Sequence, residues 1–317
     1  MAVATPSGPV RTPRRLARGV DALRRMGFEV IVGPQASLVG DYERRATARA
    51  DELNKFIRAP QVRAVIATIG GYSGNAVLPH LDYDALRADP KIICGYSDIT
   101  AVLLACYTKA RIVTFHGPTL LPEVAEQPSM QDYTADHLLR AVCQPIPIGR
   151  LVPAKAWTDE FCPWDTDDDG PRTVRPGTGW HWVCEGTGSG PLLGGNIDTL
   201  SALGGSQYLP DFTGAVLFLE TASSTLDEIE RSLTHLEMLG LFDTAAGVLF
   251  GRLFRSPPEL AARVASSLRR RLDVRQIPVV TDVDLGHTDP MLTLPIGVQA
   301  AVDSTSGSVE ITRAAVW

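Results

Sequence analysis

Short, wholly apolar runs alternate along this chain with longer segments of helical period, and that alternation limits the fold more than any other feature. VRAVIATIGG, KIICG and IVTFHGP are uninterrupted by charge apart from their first residues, as strands buried on both faces must be. Between and before them, RRLARGVDALRRMG, YERRATARADELNKFIRA and ITAVLLACYTKA carry apolar residues three or four positions apart, the spacing of a helix with one face on a core. AVATPS and FEVIVGP supply two further strands. Strand followed by helix followed by strand predicts an α/β fold with a doubly wound parallel sheet.

The order fades near residue 145. From Pro145 to Gly190 the residues are rich in Pro, Gly, Trp and Asp and show no steady period, which predicts a linker carrying a long loop. It returns with GAVLFLE, LDEIERSLTHLEMLG, AAGVLFG, PELAARVASSLRRRL and IPVVTDVD. The expected organisation is an N-terminal α/β domain over residues 1–145, a linker and substrate loop over 146–190, and a smaller C-terminal α/β domain over 191–317. A chain of 317 residues is long enough for both, with a core able to exclude water from a site.

Charge and composition remove several classes of function. The net charge is −6 and the basic residues are scattered, so a surface that tracks a nucleic-acid polymer is not expected. No run approaches the roughly 20 apolar residues of a membrane helix, and the basic residues of MAVATPSGPVRTPRR follow its apolar stretch instead of preceding it, unlike a signal peptide. A cytoplasmic protein without membrane contact is expected. Five cysteines without a C-x-x-C pair suggest neither a disulfide framework nor a zinc site.

The strongest local signal is GYSDIT at residues 95–100. A serine between a buried strand and a helix is exposed by the turn and faces helix N–H groups, the placement an acyl-transfer nucleophile needs. The oxyanion formed on attack requires fixed donors, and losing one costs about 3 to 4 kcal/mol of transition-state stabilisation. The Asp98 amide is placed to be one donor. TIGGYSGN, also closing a buried strand, offers Gly70 or Gly71 as the second, since glycines allow close backbone approach. Plain alternatives stand beside these readings: Ser97 or Asp98 as a helix cap, and the glycines as a tight turn.

Glu220 ends GAVLFLE, at a strand edge of the kind that faces a ligand crevice, although most such carboxylates are simply solvated. His287 follows IPVVTDVDLG and precedes the apolar TDPMLTLPIG, which makes it a candidate general base. His235 lies inside a helix, and His116 in TFHGP reads as a buried neighbour of the site. Asp165, Asp167, Asp169 and Gly170 begin a calcium-loop pattern, but its twelfth position is Pro176 instead of Glu, so an exposed acidic loop is the simpler account.

Taken together, these segments resemble the LD-carboxypeptidase family of serine peptidases. The stretch TIGGYSGNAVLPHLDYDALRADPKIICGYSDITAVLLACYTKARIVTFHGP is similar to its nucleophile half. LLGGNIDTLSALGGSQYLPDFTGAVLFLE is similar to the half carrying its glutamate, and the likeness continues through VDLGHTDPMLTLPIGVQAAVD. The resemblance implies a catalytic Ser97, Glu220 and His287, a site between two α/β domains, no metal or organic cofactor, and a homodimer. Within the family, WTDEFCPWD, EIERSLTHLEMLGLFD and HTDPMLTLPIGVQ favour the microcin C self-immunity branch, which cleaves the amide joining an aminoacyl group to a nucleotide. The murein branch, which releases D-alanine from a tetrapeptide, is the alternative, and a protein that binds aminoacyl nucleotides without turnover is a third.

A nucleobase would be met by aromatic faces, each worth roughly 1 to 3 kcal/mol of stacking. Trp157 and Trp164, with Trp180 and Trp182 just beyond, lie in the loop, and Trp164 best matches the branch's stacking position; packing at the hinge is the other reading of these rings. Asn196 is a further expected substrate contact. The TASST segment after Glu220 lacks the lysine that an acidic aminoacyl side chain would need, so aspartyl selectivity does not follow.

Overall fold

The computed structural model describes residues 1–37, 42–163, 170–222 and 225–317. The first sheet is built from β1 (Ala2–Ala4), β2 (Ile31–Val32), β3 (Ala64–Ala67), β4 (Ile92–Gly95) and β5 (Thr114–His116). The segment between the expected domains adds β6 (Gly149–Arg150), β7 (Ala156–Trp157), β8 (Arg175–Pro176) and β9 (His181–Cys184). Beyond it run β10 (Thr187–Asn196), β11 (Val216–Glu220), β12 (Gly247–Gly251), β13 (Val279–Val283), β14 (Leu294–Ile296), β15 (Gln299–Asp303) and β16 (Ser308–Ile311). The helices are α1 (Pro13–Arg25), α2 (Tyr42–Arg58), α3 (Gly74–Val77), α4 (Tyr83–Ala88), α5 (Thr100–Ala105), α6 (Asp132–Cys143), α7 (Ile197–Leu203), α8 (Leu226–Met238) and α9 (Pro258–Leu272).

The order of the first sheet is β14-β5-β4-β3-β1-β2. β1 to β5 pair in parallel, as the apolar runs predict, and β14 joins the edge antiparallel to β5. The second sheet, β6-β16-β15-β10-β11-β12-β13-β9, has a parallel centre over β10 to β13 and antiparallel flanks. The fold is therefore mixed α/β, built on two large sheets among the described residues. Among the described residues, the first sheet has six strands and the second eight. The expected linker also supplies β6 and β9 to it and folds β7 against β8 as a hairpin. Strands of two to four residues rich in Pro, Gly and Trp are too short to show a period.

Burial explains the strand composition. All residues of β3, β11 and β12 are buried, so none presents a polar face to water. α1 buries Gly19, Val20 and Leu23 on one face, and at Gly19 an added Cβ would sit 2.9 Å from Leu120, so the helix lies directly on the turn after β5. Among the described residues, no helix is long and apolar enough to cross a membrane.

One connection matters most for the site. The chain leaves the second sheet at β13 and enters the first at β14, so the loop between them spans both sheets and carries His287.

Candidate active site

Ser97 follows Tyr96 at the C-terminal end of β4 and opens a 3-10 turn, Ser97–Ile99, that leads into α5. Its φ of 60° lies in the left-handed region, which non-glycine residues rarely occupy; a sharp turn of this kind lifts the side chain out of the sheet edge. The bend is close because a Cβ at Gly95 would come within 2.9 Å of Ile99 and 3.2 Å of Ala67.

Glu220 is the last residue of β11 and is 1% exposed. One carboxylate oxygen lies 2.7 Å from His287 Nδ1, and His287 Nε2 lies 3.1 Å from Ser97 Oγ. Gly286 makes the first contact possible: its φ is 89°, and a Cβ there would fall 2.7 Å from Glu220 Cβ and 2.8 Å from the oxygen that His287 uses. The tautomer with the proton on Nδ1 donates to Glu220 and leaves Nε2 free to accept from the serine hydroxyl.

The electrostatics agree with that arrangement. Burial alone would raise the pKa of Glu220, but the charge and hydrogen bond of His287, aided by His116 and the Asn196 side chain, take it below the ordinary value. Burial would likewise lower His287, and Glu220, Glu123 and Asp289 outweigh it and raise the imidazole above its ordinary value. His116, fully buried beside them, is pushed down to about 4 by desolvation and is neutral near pH 7.

The expected oxyanion donors lie on the same side. A Cβ added at Gly70 would be 2.8 Å from Ser97 Cβ, 2.9 Å from its Oγ and 3.5 Å from the Asp98 amide nitrogen, so the backbone at 70 is packed against the serine and the Asp98 N–H. The Asp98 carboxylate is turned away and accepts from the Gly74 amide at 2.6 Å and from the Ser7 hydroxyl, which ties the turn to the segment after β1. Gly71 is held close to Ser7 and Gly8, and both glycines line a cleft of about 670 Å³ that also contains Ser97 and His287.

The other expected contacts fall elsewhere. Trp157 does not line this cleft. The guanidinium groups of Arg175 (4.8 Å) and Arg252 (4.7 Å) lie over its ring, and it lines a separate cleft of about 750 Å³. Trp180 donates from Nε1 to Asp284 at 2.8 Å and packs on the core. Each of these rings thus has protein partners of its own. Asn196 caps α7, its Oδ1 accepting from the Asp198 and Thr199 amides, and sits in register with Glu220, whose pKa its side chain helps to lower. Trp164 and the acidic residues Asp165, Asp167 and Asp169 lie outside the described residues.

Sequence reasoning missed several residues that line the cleft: Tyr96, Glu123, Phe161, Arg172 and Phe254. Phe161 stands in the same WTDEFCPWD motif as the tryptophans, and Phe254 follows β12 as Glu220 ends β11, so sheet-edge position was a usable signal for it. Arg172 had none. It bonds Asp289 at 2.6 Å and Glu126 at 2.7 Å, joining the loop after Trp157 to the loop of His287 and to the turn after β5. The Thr158 and Asp289 backbones add two hydrogen bonds to the same junction.

Comparison with known proteins places the architecture. The model of the LD-carboxypeptidase N-terminal domain matches residues 1–117, and that of the C-terminal domain matches residues 189–302. The microcin C7 self-immunity protein MccF of Escherichia coli is 35% identical over 320 residues, covering 96% of this chain and 90% of that protein. A Bacillus subtilis protein named "Probable murein peptide carboxypeptidase" is 25% identical over 98% of this chain and 90% of its own length. The solved structure of MccF in complex with glutamyl sulfamoyl guanosine superposes with a TM-score of 0.90 at 31% identity, covering 100% of this chain and 96% of that one. This chain belongs to the LD-carboxypeptidase family of peptidases.

Proposed function

We propose that the protein is a serine hydrolase that cleaves the amide between an aminoacyl group and a nucleotide, in the manner of microcin C self-immunity or a related detoxification. The observation that carries the reading is the continuous hydrogen-bonded line from Ser97 Oγ through the His287 ring to buried Glu220, opening on a cleft large enough for a nucleotide-sized ligand. The likeness to MccF, solved with glutamyl sulfamoyl guanosine, supports the choice of substrate class.

In this mechanism His287 Nε2 takes the Ser97 proton as Oγ attacks the carbonyl carbon. The carbonyl π electrons move to oxygen, and the oxyanion is held by the Asp98 amide and a backbone N–H at Gly70 or Gly71. Collapse breaks the C–N bond, and the imidazolium returns its proton to the leaving nitrogen. Water, deprotonated by the same imidazole, then releases the acyl group and regenerates Ser97. Glu220 stabilises the imidazolium and fixes the Nδ1–H tautomer. No step needs a metal or an organic cofactor. The enzyme acts in the cytoplasm as a homodimer, a state that sedimentation analysis tests directly.

Products from an aminoacyl sulfamoyl adenosine and from murein tetrapeptide, separated by mass spectrometry, decide the substrate. Release of the free amino acid from the first supports the reading. Release of D-alanine from the second alone reverses it in favour of the murein reaction, which the absence of a lysine in Thr221–Thr225 leaves chemically open.

A further inference from the structure

We propose that Glu123 is a positioning residue for this hydrolysis, holding through Tyr96 the ring surface against which His287 is packed; the inference rests on the Ser97–His287–Glu220 reading above. Glu123 stands in the helical turn Leu120–Val124 after β5, is buried, and lines the cleft. One of its oxygens accepts the Tyr96 hydroxyl at 2.7 Å. The other accepts the Thr119 amide at 2.8 Å and the Thr119 hydroxyl at 3.3 Å. Tyr96 is the residue immediately before Ser97, and its ring meets the His287 ring edge-on, with centroids 5.1 Å apart and planes at 65°. A single carboxylate therefore fixes both the backbone entering the nucleophile and the surface beside the base.

The side-chain type fits this role. All three neighbours donate, so the ionised carboxylate satisfies them, whereas an amide would turn its NH2 toward one of the donors in a buried place. The charge acts as well. Glu123 faces Asp289, Arg172 and Tyr96, and His287 faces Glu220, Glu123, Asp289 and the neutral His116. Burial, with Asp289 adding, pushes the Glu123 carboxyl up to about 8 against the pull of Thr119, Tyr96 and Arg172. Whatever fraction of Glu123 is ionised raises the pKa of His287, so its loss weakens the base.

The test is the pH dependence of kcat and KM for an aminoacyl sulfamoyl adenosine with the parent, Glu123→Gln, Tyr96→Phe and Ser97→Ala proteins. Tyr96→Phe keeps the ring and removes the bond; kcat should fall about tenfold with KM changed less than about twofold, as expected of misorientation. Glu123→Gln should lose at least as much kcat, with the acid limb displaced to lower pH. Parental kcat and an unmoved limb in both variants, with Ser97→Ala inactive, overturn the role of Glu123 and leave the nucleophile standing. Parental turnover by Ser97→Ala removes the underlying reading instead. If Glu123→Gln does not fold, Tyr96→Phe decides alone: full kcat overturns the proposal.

Discussion

His287 Nδ1 lies 2.7 Å from a carboxylate oxygen of Glu220, a residue sealed at the end of a buried strand. Against its burial this carboxylate keeps its charge chiefly because the imidazole partners it, and the imidazole is a stronger base chiefly for the same reason. Neutralising this carboxylate in Glu220→Gln should lower kcat by about ten-thousandfold, since both the tautomer and the imidazolium lose their support. Steady-state kinetics with circular dichroism on the same sample separates that loss from misfolding.

In the proposed mechanism the raised pKa of His287 sets the acid limb. Only the neutral ring accepts the serine proton, so kcat/KM should rise with pH through a value above the ordinary 6.5 or so of histidine. A pH profile in constant ionic strength gives this value. A limb below the ordinary range would show that Glu220 does not act on the ring as described.

The same pair links stability to pH. The contribution of His287, raised on folding, is fully present below its unfolded value and is lost as pH rises through the folded one. That of Glu220, lowered on folding, is present above its unfolded value and is lost as pH falls through the folded one. Between the two unfolded values, about 4.3 and about 6.5, both are in force. Urea midpoints of the parent and Glu220→Gln should differ most in that window and converge toward either side.

Gly70→Ala should cut kcat by at least about a hundredfold, because the new methyl falls within 2.8 Å of Ser97 Cβ and must displace the serine or the donor backbone. The fold should survive, at a cost of about 1 to 3 kcal/mol for the overpacked site. Thermal unfolding beside kinetics checks both halves.

Trp157→Ala should lower thermal stability while leaving KM for a nucleotide conjugate within about twofold. Its ring is engaged by two guanidinium groups, each contact worth about 0.5 to 1 kcal/mol, and it is not among the residues lining the Ser97 cleft. A large rise in KM for the nucleotide conjugate but not for a peptide would return this ring to the substrate site.

The parallel strands were legible because burial on both faces forces unbroken apolar runs, and Ser97 stood out because a hydroxyl between such a run and a helix is placed by the turn. What could not be read was partnership between distant segments. β14 is three residues long, and nothing in LPI tells that it returns to the first sheet beside β5. The reach of His287 depends on that return. Trp157 and Trp180 are alike in sequence to stacking residues, but Arg175, Arg252 and Asp284, up to about a hundred positions away, occupy them. Composition shows that a ring is available and not which side it faces.

The most direct measurement is covalent: rapid quenching of the enzyme during turnover of an aminoacyl sulfamoyl adenosine, followed by peptide mapping with mass spectrometry. An aminoacyl mass is expected on the peptide that contains Ser97, with neither adduct nor turnover in Ser97→Ala. Turnover persisting in Ser97→Ala, or an adduct carried by a different side chain, would contradict the proposed mechanism.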